Sequence, residues 1–330
     1  MRAMICDAIR DTIGGLKLAD LPTPEPDPGE VRVRLRAAAV NFPDLLMLQG
    51  KYQFKPALPF IPGVEGAGEI AALGAGVDTL RLGERVMVGA RLGTYAEAIV
   101  VPANAVRAIP ATFDFAEAAA FRAAYNTAYV ALVRRGNLRT GETLLVHGAS
   151  GGVGLAAVEL GRHLGATVIA TAGSDDKLAI VTAKGAHHVI NYTTSEGKLG
   201  GFREAVKALT QGRGADVIYD PVGGDVFDES VRCIAPEGRL LVIGFAGGRI
   251  PTVGVNMPLI KEFSIIGVRA GEYGRRHPEQ GRENLDALDA LANAGKLRPH
   301  IFARLPLEQG NEAQALLATR KVIGKVVLEM

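Results

Sequence analysis

Cysteine is scarce: Cys6 and Cys233 are the only two in 330 residues, and they stand far apart in no paired motif. That scarcity excludes a disulfide framework and a four-cysteine zinc lobe, and it suits a reducing compartment. An excess of either charge is equally lacking, since 37 Lys and Arg against 35 Asp and Glu leave a formal net charge of +2. No run of basic residues is long enough to track a phosphate backbone, so nucleic acid is not an expected partner. There is also no stretch of about 18 uninterrupted apolar residues, the length a membrane-spanning helix requires. The opening segment Met1-Arg2-Ala3-Met4-Ile5-Cys6-Asp7 lacks the apolar core of a signal peptide, and a cytoplasmic enzyme is the expectation.

What is present is material for a large core: 48% of residues are hydrophobic and 22% charged. A chain of this length predicts two domains. The first third reads as short strands punctuated by Gly and Pro. Leu21–Glu30 holds four prolines and must be a loop, and Val31–Arg36 then alternates apolar and basic residues as a half-exposed strand does. Gly63–Gly76 and Leu82–Val88 continue the pattern, which predicts a β-barrel-like domain with few helices up to about residue 120. From about residue 125 strand-like runs alternate with helical stretches: Thr143–Val146, Thr167–Ala170, His188–Ile190, Val217–Tyr219, Leu240–Ile243 and Ser264–Val268. Six such strands predict a doubly wound parallel sheet. After residue 268, a helix around Arg282–Ala294, a strand at Ile301–Ala303, a helix near Gln309–Ala318 and a strand at Lys325–Leu328 form a tail too short to stand alone. It is expected to complete the first domain, giving 1–124 with 268–330 as one domain and 125–267 as the other.

The strongest local signal is Leu144–Gly154, LLVHGASGGVG: an apolar strand runs into a Gly-rich turn and a helix follows at once. Ser150, Gly151, Gly152, Val153 and Gly154 are placed to receive a pyrophosphate on free backbone N–H groups at the positive end of that helix. Ala149 stands where the dinucleotide fingerprint has its first glycine. Gly148-Ala149-Ser150-Gly151-Gly152 also fits the nucleophile elbow of an α/β-hydrolase, which would need a triad acid and then a histidine downstream. His147 reads as a satisfied core histidine at the strand end.

The second strand of the unit ends in Ala172-Gly173-Ser174 without the carboxylate that accepts from an NAD ribose. Lys177 lies one helical turn later, able to meet a 2′-phosphate as a point charge, and Ser174 can donate a hydrogen bond. Asp175 and Asp176 read as helix N-terminal charges facing solvent. NADPH is therefore the expected cofactor.

Asn41-Phe42-Pro43-Asp44, Gln49-Gly50-Lys51-Tyr52, Pro62–Gly68 (PGVEGAG) and Tyr125-Asn126-Thr127-Ala128-Tyr129 join the Gly-rich turn, Asn191-Tyr192, Asp220–Gly224 (DPVGG) and Gly324–Val327 (GKVV) in one order along the chain. In these motifs the sequence resembles the zeta-crystallin-like quinone oxidoreductases of the medium-chain dehydrogenase/reductase superfamily. The resemblance implies an α/β fold: a GroES-like β-barrel catalytic domain, interrupted by a Rossmann domain with a doubly wound parallel six-stranded sheet. It implies a homodimer paired through the last Rossmann strand, here 263–268, with a site between the domains at the carboxyl ends of the Rossmann strands. Zinc-dependent relatives carry a cysteine near Asn41 and a histidine at Val64; neither ligand exists here, so a zinc-free enzyme is expected, and Glu65 is left with a structural role.

The resemblance further assigns Thr127, Gly244 and Phe245 to the nicotinamide end, Val222 to the cofactor channel, Gly173, Lys177 and Tyr192 to the 2′-phosphate, and Arg320 to a cofactor contact. Tyr52 is the candidate donor to the carbonyl oxygen that gains charge as hydride arrives, or else a pocket wall. Asn41 and Asp44 are candidates to orient water, substrate or the nicotinamide ribose, with helix capping as the alternative for Asp44. The expected substrate is a small quinone. An α,β-unsaturated carbonyl is the alternative, and a cofactor-loaded structural or RNA-binding protein is a third reading.

Overall fold

The first strands are short: β1 (Arg2–Cys6) and β2 (Leu16–Asp20) pair antiparallel as a separate ribbon. The alternation seen at Val31–Arg36 then belongs to an 11-residue strand, β3 (Glu30–Val40). Val31, Val33 and Leu35 turn inward, while Arg34 and Arg36 turn outward to Glu69 at 2.6 and 3.0 Å. Past Arg36 the alternation stops and Ala37–Val40 are buried on both faces. A strand from the far end of the chain pairs along this half of β3. Next come α1 (Phe42–Leu48), β4 (Glu65–Leu73), β5 (Arg85–Gly89), β6 (Ala98–Pro102), β7 (Val106–Ala108) and α2 (Phe115–Tyr129).

The helix α2 lies where the sequence suggested few helices. Its signal was present as a capping pair before an Ala-rich run: Glu117 N–H donates to Asp114 Oδ1 at 2.8 Å, and Asp114 N–H donates to Glu117 Oε2 at 3.1 Å. After a π-helical turn at Val130–Arg135 come β8 (Thr143–Val146), α3 (Gly152–His163), β9 (Thr167–Ala172), α4 (Asp175–Ala183), β10 (His188–Asn191), α5 (Arg203–Leu209), β11 (Ala215–Asp220) and α6 (Gly224–Cys233). β12 (Ile234–Val242), α7 (Asn256–Lys261), β13 (Ser264–Gly267), α8 (Ala270–Arg276), α9 (Pro278–Asn293), β14 (Ile301–Pro306), α10 (Gly310–Ala318) and β15 (Lys325–Glu329) follow. The computed structural model describes residues 1–193 and 199–330.

Two units result, Met1–Ala123 with Arg298–Met330, and Ala124–Leu297. The discontinuity anticipated from the sequence is present, but the chain returns to the first unit at Leu297/Arg298 and not at 267/268. Residues 268–297 stay with the second unit because α8 and α9 pack there; Arg134 Nε donates to Asn284 Oδ1 at 2.7 Å and its guanidinium pairs with Glu283. In the first unit the sheet order is β14-β15-β3-β4-β5-β7, with β6 also paired to β3. The C-terminal strand β15 thus lies antiparallel beside β3, with Val326 opposite Val40.

In the second unit all six strands are parallel in the order β10-β9-β8-β11-β12-β13, the doubly wound order in which the first strand, β8, neighbours the fourth, β11. β8 and β11 are central, so Leu144, Leu145, Val146, Val217, Ile218 and Tyr219 are fully buried, as strands covered on both faces must be. The start of α3 lies so close to the turn after β8 that a Cβ on Gly154 would fall 2.4 Å from the Gly148 carbonyl oxygen. Glycine there is a requirement of the packing.

Candidate active site

In the second unit the Gly-rich turn leaves β8 and is pinned on both sides. His147 N–H donates to Tyr219 O and Ala149 N–H to Thr171 O, each at 3.0 Å. Gly148 takes a left-handed conformation with φ 53, and Gly151 caps α3. Ser150 is buried, while Gly151, Gly152 and Val153 are half-buried, which presents the first-turn amides of a 12-residue helix to an anion. These residues fit a pyrophosphate.

His147 is the satisfied core histidine expected. Its Nε2 and Nδ1 lie 2.8 Å from Ser230 Oγ and Thr171 Oγ1. The Ser230 hydroxyl donates to Val226 O at 2.6 Å, so it accepts from Nε2–H, and Nδ1 accepts from Thr171. Burial pushes the imidazole down to about 3, so it is neutral. Among the described residues no histidine hydrogen-bonds Ser150, so the nucleophile-elbow alternative finds no base.

At the end of β9, Ala172 is buried and Gly173 and Ser174 half-buried. A Cβ on Gly173 would lie 3.2 Å from Thr193 Oγ1 and 3.9 Å from the Tyr192 ring, so Gly173 and Tyr192 are neighbours. Asp175 and Asp176 are exposed in the first turn of α4, and Asp175 Oδ1 accepts from Asn191 Nδ2 at 2.9 Å. Lys177 is half-buried, and desolvation lowers its pKa. Val222, Gly244 and Phe245 also converge. The loop after β12 folds onto the turn after β11, with Ala246 N–H on Pro221 O at 3.0 Å and Gly247 N–H on Val222 O at 2.8 Å. Thr127 is half-buried near the end of α2.

In the first unit the candidates fall into a buried polar network. Glu65 Oε1 accepts from Asn41 Nδ2 and from Lys325 Nζ, each at 3.0 Å, and Lys325 Nζ also donates to Asn41 Oδ1 at 2.6 Å. Glu65 Oε2 accepts the Ala123 N–H at 2.7 Å. With Asn41 Nδ2 donating to Ala39 O at 3.2 Å, both amide hydrogens of Asn41 are committed, and only its oxygen has capacity left. Sequence reasoning gave Glu65 a structural role but missed its partner. The signal was a lysine at the head of the apolar strand Lys325–Leu328, where burial demands a counter-charge.

Asp44 is bonded to the backbone of Asn41. Its Oδ2 accepts from Asn41 N–H at 2.9 Å and from the Tyr95 hydroxyl at 3.0 Å, and Gln314 Nε2 donates to the Tyr95 oxygen at 3.1 Å. The side chain is completely buried, and burial pushes its carboxyl up to about 7 against the hydrogen bonds from Asn41 and Tyr95. Its bond to the Asn41 N–H caps the start of α1, the alternative given for Asp44, and positions Asn41. Tyr52 is half-buried against the core around Met47 and Phe60, and among the described residues no hydrogen bond reaches its hydroxyl. Arg320 sits in a left-handed turn after α10, with φ 59. The donor set around Asn41 does not suit zinc: an amide and Val64 stand where zinc relatives have ligands, and among the described residues no three His, Cys, Asp or Glu cluster to hold a metal.

Removing one partner of a buried pair leaves an uncompensated charge, so Lys325→Met is expected to lower the unfolding free energy by about 3–5 kcal/mol in urea titrations. Adding Glu65→Gln to that variant is expected to restore part of the loss.

Residues 27–111 match the family described as alcohol dehydrogenase GroES-like domain, and residues 152–290 match the zinc-binding dehydrogenase family. The chain is 40% identical over 301 residues to quinone oxidoreductase-like protein 2 homolog of Nematostella vectensis, covering 91% of this chain and 81% of that one. It is 35% identical over 317 residues to a quinone oxidoreductase of Pseudomonas aeruginosa, covering 95% of each. A mycobacterial protein solved in complex with NADPH superposes with a TM-score of 0.91 over the full length of both chains at 30% identity. The chain therefore belongs to the medium-chain dehydrogenase/reductase superfamily of oxidoreductases, among its quinone oxidoreductase-like members.

Proposed function

We propose that this oxidoreductase is a zinc-free, NADPH-dependent reductase whose substrate is a small quinone. The observation that carries the cofactor choice is the end of β9, where Ala172-Gly173-Ser174 offers no carboxylate and Lys177 follows one turn later. Asp175, in the first turn of α4, accepts a hydrogen bond from Asn191. NADPH bound in this unit supplies a hydride from the nicotinamide C4. The protein holds the pyrophosphate on Ser150–Gly154 and the 2′-phosphate among Gly173, Ser174, Lys177 and Tyr192, with Val222, Gly244, Phe245 and Thr127 at the nicotinamide end. By family resemblance Asn41 and Arg320 are further candidates for cofactor contact.

Without a Lewis acid, deprotonating an alcohol is difficult, whereas a quinone accepts hydride readily; this supports the quinone reading. An α,β-unsaturated carbonyl is the second reading, favoured by the uncommitted hydroxyl of Tyr52, which suits a donor to a growing oxyanion. No helix among the described residues is long and apolar enough to cross a membrane, and a cytoplasmic location is proposed on the cysteine content. A homodimer is proposed through β13, which ends the sheet order. Ile265 on that strand, and Val255, Leu259 and Ile260 shortly before it in the sequence, are exposed large apolar side chains of the kind that interfaces cover.

Lys177→Ala is expected to raise the NADPH dissociation constant by about one to two orders of magnitude while barely affecting NADH, since a charge-assisted hydrogen bond contributes roughly 1.5–3 kcal/mol. Equal weakening of both cofactors in fluorescence titrations sinks the assignment. A panel of quinones and enones followed at the nicotinamide absorbance is expected to show turnover with quinones; the absence of any turnover would favour a non-enzymatic, cofactor-loaded protein. Tyr52→Phe is expected to slow enone reduction more than quinone reduction, by about 10²-fold or more where the tyrosine is the proton donor. In light scattering, Leu259→Lys with Ile265→Lys is expected to convert a dimer to a monomer.

A further inference from the structure

We propose that Asp220 is a positioning residue for the nicotinamide end of the dinucleotide site: its carboxylate holds the turn Pro221–Gly224, and through that turn the segment Gly244–Phe245. The proposal rests on the reading that Val222, Gly244 and Phe245 form that end.

Asp220 closes β11, one of the two strands at which the order of the sheet reverses. Ligands of doubly wound folds lie beyond the carboxyl ends of the strands at this point. The side chain is 1% exposed, and its Oδ1 accepts two backbone hydrogen bonds, from Val222 N–H at 2.8 Å and Gly223 N–H at 3.0 Å. Among the described residues no Lys or Arg pairs with it, so these amides are the groups that hold it. A buried carboxylate without a cation is costly, and charge-assisted bonds to two adjacent amides are what offset that cost here. Burial pushes its carboxyl up to about 6 while the Gly223 and Val222 amides pull it back down.

The turn it holds has little rigidity of its own. Gly223 and Gly224 follow one another at φ 69 and φ 56, and glycine pairs populate many other conformations when released. Once fixed, the turn passes its position on. Its two carbonyls, Pro221 O and Val222 O, accept from Ala246 and Gly247, so the loop after β12 is registered to the turn after β11. The Asp220 carbonyl accepts Ile243 N–H at 2.9 Å just before that loop. Phe245 Cδ1 lies 2.9 Å from where a Cβ on Gly223 would stand, and Val222 Cγ2 lies 3.1 Å from the corresponding point on Gly148. The three turns after β8, β11 and β12 therefore meet at the residues Asp220 anchors.

The test compares a whole dinucleotide with the same molecule lacking nicotinamide, by calorimetric titration of NADPH and 2′-phospho-ADP-ribose (NADH and ADP-ribose if the wild type prefers NADH). Asp220→Ala is expected to weaken NADPH about tenfold, the equivalent of one to two hydrogen bonds, and the fragment by less than about twofold. Asp220→Asn keeps an oxygen that can accept both amides and is expected to bind both ligands within about threefold of wild type. Equal loss of both ligands in Asp220→Ala, loss of neither, or an Asp220→Asn variant as weak as Asp220→Ala overturns the proposal. If Asp220→Ala does not fold, Gly223→Ala decides the matter, because its Cβ must displace Phe245; the same split supports the proposal and its absence overturns it. Phe245→Ala separates the two levels. If it splits the ligands and Asp220→Ala does not, Asp220 alone falls. If it does not split them, the proposal falls together with the reading on which it rests.

Discussion

The buried contact of Lys325 with Glu65 and Asn41 is the constraint on which the first unit depends. Lys325 is the first residue of the last strand, Glu65 the first of β4, and Asn41 the residue before α1. Their meeting requires β15 to lie beside β3, so residues after the inserted unit complete a sheet begun some three hundred residues earlier. The second oxygen of Glu65 reaches into α2 through the Ala123 amide. One carboxylate thereby joins a strand from each end of the chain, the approach to a helix, and a helix near the boundary. Burying two opposite charges costs desolvation that their attraction only partly offsets. Here the offset comes from complete hydrogen bonding, since both oxygens of Glu65 and both polar atoms of the Asn41 amide are used.

The second unit solves a different problem. Its central strands are apolar on both faces, so chemistry is confined to their ends. Close packing of α3 on the turn after β8, enforced by Gly154, brings the amides at the helix start to the end of the sheet. The neighbouring turns after β11 and β12 are tied to one another by backbone hydrogen bonds. A site made of such turns is only as precise as its anchors. His147 supplies one by bridging Thr171 on β9 and Ser230 on α6, and Asp220 supplies another by binding its own turn.

Much of this was legible in the residues. The six parallel strands showed as apolar runs, and the turn Gly148–Gly154 showed because a strand, glycines and a helix stand in one order. The helix α2 was hidden because its Ala-rich sequence has weak amphipathic contrast, and Asp114 with Glu117 was its one local sign. The boundary was placed 30 residues early because a break in the strand–helix rhythm after Val268 looked like a change of domain. The helices α8 and α9 belong to the second unit through tertiary contacts such as Arg134 with Asn284, which no local pattern announces. Asp44 leaves two readings open for a related reason. A carboxylate in a functional loop and a carboxylate capping a helix look alike until burial separates them.

That separation sharpens the proposed chemistry. As hydride reaches a carbonyl-conjugated acceptor, the growing negative charge on oxygen calls for a hydrogen-bond donor. Asn41 has spent both amide hydrogens on Ala39 and Glu65, and its oxygen already accepts from Lys325. It can therefore receive a hydrogen bond, as from a ribose hydroxyl or a water, but has none to give. Asp44 is enclosed, and the Lys325 ammonium is held by Glu65 and Asn41. Of the first-unit candidates, Tyr52 alone keeps an uncommitted hydroxyl. Of these groups, Asn41 can only accept a further hydrogen bond, whereas the Tyr52 hydroxyl can give one.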